Sequence, residues 1–173
     1  MANFNKYIPL LTEFEGGYVD DPDDFGGATN MGITYRTFVD YLHKKGLSAD
    51  KSKFKTMKID LRNQIIKSEY WDKCKGDEIK SQSVAVALVD WFVNSGYNAT
   101  MAVQKLLNLK RDGIIGNITL TEINKQDAKR LFEAIQKERV AYIYRIVEQR
   151  EENRKFLNGS HIVTGKQIGR AHV

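Results

Sequence analysis

The sequence predicts an all-α protein with at most one small β-hairpin. Three observations lead there. The chain of 173 residues carries only two prolines and is rich in Lys, Glu, Leu and Ile, which suit helices. Residues 82–95 are apolar on almost every side, as in a central buried helix. One segment, residues 15–34, breaks the helical pattern with paired glycines and clustered aspartates.

In chain order, residues 3–14 read as a first helix, with Phe4, Tyr7, Ile8, Leu11 and Phe14 near helical spacing. The turn-rich segment comes next, with a hairpin pairing Gly17–Val19 and Gly32–Thr34. Thr34 then caps a helix over Tyr35 to Lys45 that Gly46 ends. Residues 47–57 read as a polar loop. Asp60 caps a helix running to about Tyr70, with Leu61, Ile65 and Ile66 inward and Trp71 in the core. On the apolar 82–95 helix, Asp90 and Asn94 lie four residues apart on one face. Asp90 is expected in an internal hydrogen-bond network, because buried polar groups need partners. In 97–120, Gly113 and Gly116 allow a tight turn and Thr119 caps the next helix. A long helix over 127–156 carries Leu131, Ile135, Val140, Tyr142, Ile143, Ile146 and Val147, with Phe156–Leu157 as an anchor. The tail from 158 has no hydrophobic period and contains Gly-Ser-His, which looks vector-derived, so it is set aside.

Composition narrows the function classes. At 42% hydrophobic and 28% charged the chain is an ordinary globular protein, long enough for a real core. Its net charge of +5 suits a polyanion such as nucleic acid, an anionic membrane or a cell wall with acidic peptides. The positive charges are dispersed among acids, which weighs against nucleic acid. Cys74 is the single cysteine and reads as a passive thiol. His43 is the only histidine outside the tail, on a Lys-rich helix end; this argues against Ser-His, Cys-His and zinc amidase chemistry. No run approaches the ~20 apolar residues of a membrane helix. The N-terminus lacks the features of a signal peptide, so synthesis in the cytoplasm is expected, with a holin or a secretion system releasing the protein to the wall.

The segment EGGYVDDPDDFGGATNMGIT carries the chemistry. Glu15 ends an apolar helix beside Phe14 and Tyr18, where burial would raise its pKa and keep a proton available. The aspartates after it sit in a polar turn, where a carboxylate stays ionised. Two carboxyl groups in contrasting environments are what glycosidic bond cleavage requires. Gly16, Gly17, Gly26 and Gly27 leave room for a bulky sugar. Asp24, Asp23, Asp21 and Asp20 are the candidates for the partner carboxylate. Tyr18, Thr29 and Asn30 are candidate substrate contacts, as is Asn94 if its face lines the groove. A Glu before Gly-Gly is also an ordinary helix end, and DDPDD an ordinary solvated turn around Pro22. A calcium loop starting at Asp20 fails, because Pro22 would be a ligand and Phe25 would replace the required glycine.

The ordered run Glu15-Gly16-Gly17-Tyr18, Asp20 to Asp24, Gly26 to Asn30 and Gly32-Ile33-Thr34 resembles the N-terminal signature of glycoside hydrolase family 108, the bacterial and phage N-acetylmuramidases. The same stretch is similar to the active-site hairpin of phage lysozymes, in the spacing of Glu15, Asp24 and Gly32-Ile33. Phage lysozymes carry Thr two residues before that Gly; here the position is Asn30, with Thr29 beside it. Farther on, Ala102-Val103-Gln104 to Leu107, then Asp112-Gly113-Ile114-Ile115-Gly116 and Thr119, resembles a peptidoglycan-binding repeat. The resemblance implies a lysozyme-like helical fold with Glu15 as catalytic acid and no cofactor or metal. It implies a catalytic region over 1–82, a peptidoglycan-binding-like region over 83–157 packed on it, and the tail 158–173. The expected substrate is the β-1,4 bond from N-acetylmuramic acid to N-acetylglucosamine in peptidoglycan glycan strands. A monomer with no nucleic-acid partner and no membrane insertion is expected. The rivals are a non-catalytic peptidoglycan-binding protein and a lytic transglycosylase.

Overall fold

In a computed structural model of the chain, residues 1–12, 17–20 and 27–149 are described. Among them are eight α-helices and one two-stranded antiparallel sheet, the expected all-α fold with a small hairpin. The helices are α1 (Ile8–Thr12), α2 (Tyr35–Lys44), α3 (Lys51–Lys55), α4 (Ile59–Ile66), α5 (Gln82–Ser95), α6 (Tyr97–Leu106), α7 (Asn117–Lys125) and α8 (Ala128–Gln149). The strands are β1 (Thr29–Asn30) and β2 (Ile33–Thr34).

The apolar run over 82–95 becomes the centre of the molecule. Ser83 to Val89, Trp91 and Phe92 on α5 are all buried, and α8 and α6 pack on it more extensively than any other elements. The expected network at Asp90 is present. Arg139 of α8, only 3% exposed, donates from Nη1 to Asp90 Oδ2 at 2.6 Å. Arg139 stands one helical turn from both Ile135 and Ile143 on the buried stripe of α8. The ion pair therefore sits inside the apolar seam between the two longest helices.

The N-terminal element departs from one continuous helix. A 3₁₀ turn, Phe4–Lys6, is capped by the Asn3 side chain, and α1 starts afresh at Ile8. Pro9 has no N–H to continue a helix from Asn5 but fits the first turn of a new one. Phe14, the last apolar position expected of the first helix, lies outside the described residues, as do the expected anchor Phe156–Leu157 and the tail.

Residues 47–57 are not all loop. Asp50 accepts from Lys53 N at 2.8 Å and starts α3, which buries Phe54 completely. One apolar anchor among lysines leaves no period to detect. Asp60 is not a cap: Lys58 occupies that position without a side-chain bond, and Asp60 lies in the first turn of α4. There its charge complements the helix dipole. After Ile66 the helix widens into a π-helical turn, Lys67–Trp71. Trp71 is fully buried, stacked 5.7 Å from Tyr7, and its Nε1 donates to Asp77 Oδ1 at 2.8 Å. Cys74 is buried beside it, its thiol pushed far up by burial, which agrees with a passive role.

Gly76 passes directly under the Trp71 ring. A Cβ there would lie 2.3 Å from Cε2 of a ring with no room to retreat. Gly76→Ala is expected to cost about 1–3 kcal/mol or more through overpacking. Thermal unfolding of the variant checks this; an unchanged midpoint would mean that the ring moves freely.

The turn after α6 is organised by Gln104, 1% exposed. Its Nε2 donates to Asp112 Oδ1 (2.7 Å), Ile114 O (3.0 Å) and Thr119 Oγ1 (3.3 Å), while Gly113 N donates to its Oε1 at 2.9 Å. Gly113 has φ of 79°, and a Cβ there would press on Tyr97 at 3.3 Å, so glycine is required. The expectation for Gly116 and Thr119 is corrected. Gly116 caps α7 with ordinary backbone (φ −80°), and Thr119 is a buried residue within α7, bonded to Gln104.

Candidate active site

Glu15 lies outside the described residues, as do Asp21, Asp23 and Asp24. The structure describes what frames them. α1 delivers the chain to Thr12, with Leu11 in the core. Beyond the gap, Val19 and Thr29 exchange two backbone hydrogen bonds of 2.8 Å each. That bridge ties together the two ends of the segment holding Asp24. The hairpin itself differs from the expected pairing: Thr29–Asn30 pairs with Ile33–Thr34, and Val19 joins the outer edge of Thr29. Met31 (φ 47°) and Gly32 (φ 76°) make the two-residue turn, both in the left-handed region that a type I′ turn demands. Arg62, fully buried, donates from Nε to Met31 O at 3.4 Å and braces this unusual backbone.

The candidate contacts fall in different places. Tyr18 is half-buried, its ring edge against Phe54 and under Lys55 Nζ, 4.8 Å from the centroid. Its hydroxyl donates to Asp20 Oδ2 at 2.7 Å. That bond holds the Asp20 carboxyl below its ordinary value, with Lys51 helping, and pushes the Tyr18 hydroxyl up. Thr29 is half-buried with its backbone in both pairings. Asn30 is 4% exposed, and its Nδ2 donates to Phe54 O (2.6 Å) and Lys55 O (3.3 Å). It therefore pins the hairpin to the end of α3 and is buried there. Asn94 is exposed and its Nδ2 donates to Asp90 O at 2.7 Å, folded back along its own helix. Tyr18 and Thr29 thus share the hairpin region, whereas Asn94 stands apart on α5.

A groove of about 530 Å³ opens between α2, the π-helical turn and the corner joining α5 to α6. Sequence reasoning missed its centre. Glu69, 7% exposed, accepts from Lys44 Nζ at both carboxylate oxygens (3.0 and 2.8 Å) and from Lys73 Nζ at 2.7 Å. Burial disfavours the Glu69 charge, but the two ammonium groups prevail and hold its pKa below the ordinary value; Lys44 is raised in turn by Glu69. Tyr70, Phe92 and Tyr97 form one wall, Phe92 meeting each tyrosine edge-on at 6.1 and 5.6 Å. The available signal was Lys44 on one helix and a Glu69/Lys73 pair four residues apart on the next, but nothing in the sequence brings those helices together. His43 lines the same groove and is exposed.

With this frame in place, residues 8–96 match the family model Glycosyl hydrolase 108. The chain belongs to that family. Residues 98–162 of this glycosyl hydrolase 108 protein match a second model, Predicted Peptidoglycan domain, which runs a few residues into the segment read as a tail. The two models meet after α5, where the sequence reading divided the chain before it. The chain is also similar to a solved structure titled Structure of Brucella abortus SagA, at 31% identity and a TM-score of 0.80, covering 98% of this chain and 93% of that one. Comparison with curated proteins gives no match. The glycosyl hydrolase 108 chain is thus a lysozyme-type glycoside hydrolase, and peptidoglycan is its substrate.

Proposed function

We propose that the protein hydrolyses the β-1,4 bond from N-acetylmuramic acid to N-acetylglucosamine, with Glu15 as proton donor and Asp24 as partner carboxylate. The observation that carries this reading is the Glycosyl hydrolase 108 match over 8–96, which contains the whole ordered run from Glu15 to Thr34. Glu15 gives its proton to the glycosidic oxygen as the bond to the sugar carbon breaks. Asp24 stays ionised and either activates water or stabilises the positive charge on the ring. Asp20 is already engaged by Tyr18 and Lys51, so it is the weaker choice for that partner. Tyr18 and Thr29, which border the same segment, are the proposed substrate contacts.

Mass analysis of the muropeptides released from purified wall tests the proposal. The expected products are disaccharide-peptides ending in a reducing N-acetylmuramic acid. Products one water lighter, with an anhydro end, would make the protein a lytic transglycosylase. Binding to wall with no release of sugar would make it a non-catalytic peptidoglycan binder.

A further inference from the structure

We propose that the groove between α2, the π-helical turn and the α5–α6 corner is a subsite for the acidic peptide stem of peptidoglycan, beside the glycan strand that is cleaved. The identity of the substrate rests on the proposed muramidase reading.

The geometry favours a carboxylate-bearing ligand. Two ammonium groups flank one nearly buried carboxylate, and Asp40 of α2 also lines the groove, so the positive charge is local to the Lys44 and Lys73 ammonium groups. Each ammonium has three N–H donors. Lys44 gives two to Glu69 and Lys73 gives one, and among the described residues the others have no partner. Both lysines remain substantially exposed, 56% and 42%, while Glu69 is not. Glu69 thus holds two cations in fixed positions at the wet face of the groove, an arrangement suited to charge-assisted bonds with a carboxylate. A glycan strand whose lactyl carboxyls are all tied up in amide bonds is neutral and has no need of such a centre.

The remaining walls fit a peptide as well. Asp40, one turn before Lys44 on α2, is 60% exposed and stands 4.0 Å from Arg36 Nε, and its second carboxylate oxygen is an acceptor for an amine. Tyr97 is 59% exposed and presents an aromatic face to aliphatic side chains. Glu69 and Tyr70 reach the groove from a π-helical turn, a distortion that recurs at functional sites. Position matters too. α2 begins directly after β2, so Thr37 to Lys44 carries the groove roughly 10 Å away from the hairpin at 1.5 Å per residue. A stem peptide projecting from the strand would have to leave the site in some such direction.

Titration calorimetry of the full chain with a synthetic alanyl-γ-glutamyl-lysyl-alanine stem peptide, free of sugar, tests the subsite directly. The peptide is expected to bind, with an affinity that falls as salt is added, and to bind Lys73→Met about tenfold more weakly. Lys44 still holds Glu69 in that variant. In hydrolysis, Lys73→Met is expected to lose about tenfold of the preference for peptide-bearing strands over strands stripped of peptide and capped as neutral lactyl amides. No binding to the unsubstituted protein, binding indifferent to salt, or an equal loss on both substrates would overturn the subsite. A protein that binds the peptide but cleaves neither substrate would instead overturn the muramidase reading. Should Lys73→Met fail to fold, the salt dependence of the unsubstituted protein decides alone.

Discussion

Glu15→Gln is expected to reduce hydrolysis of purified wall by about 100- to 10,000-fold, the usual contribution of a positioned general acid. The substitution keeps the size and shape of the side chain and removes only the proton that the leaving oxygen requires. Wall-clearing rate and thermal unfolding, measured on the same preparation, check both halves of the expectation. Activity should fall by that factor while the unfolding midpoint stays within about a degree or two of the parent. Full clearing by this variant would remove Glu15 from the mechanism and, with it, the assignment of Asp24 as its partner.

Arg139→Leu is expected to be the most damaging single change to stability. Asp90 and Arg139 are 13% and 3% exposed, and their pair lies within the seam between α5 and α8. Removing the cation leaves the Asp90 carboxylate in apolar surroundings without its ion-pair partner, which costs about 3–5 kcal/mol. A domain of this size should then lose roughly 6–20 °C of melting temperature. That is a large share of a total near 5–15 kcal/mol. Replacing both residues, Asp90→Leu with Arg139→Leu, should recover most of the loss, because the Asp90 charge disappears along with the guanidinium that balances it. A double variant as unstable as the single one would show that the pair does more than neutralise itself.

The legible parts of the molecule were those with a long or repeated pattern. α5 announced itself through an apolar run with no polar face, and its two exceptions, Asp90 and Asn94, were visible by contrast. Thr34 was readable as a cap because it precedes a strong amphipathic helix, and its side chain does accept from Thr37 N at 3.2 Å. The Gly113 turn was readable from its glycine. Short or composite features were not. α3 has five residues and one buried side chain, too little for a period. The first helix splits at Pro9, and the π-helical turn at Lys67–Trp71 continues the apolar spacing of α4 without any mark in composition. Asn30 looked like a sugar contact because polar residues near a glycine-rich turn so often face solvent. Its amide instead serves two carbonyls at the end of α3, a long-range pairing that local sequence does not encode. The groove around Glu69 was hidden for the same reason: Lys44, Glu69 and Tyr97 come from three separate stretches and meet only once α2, the π-helical turn and α6 have packed.

The position of α5 has a consequence for anyone hoping to retarget the protein by exchanging its C-terminal half. The two family matches suggest a scissor line at residue 97, yet a cut there would strip α6 and α8 from Leu88, Val89, Trp91 and Phe92 and orphan Asp90 from its guanidinium. The severed front portion would present a broad greasy flank to water and clump. Any graft must therefore bring its own α8, with an arginine at the place of Arg139, or inherit the original one.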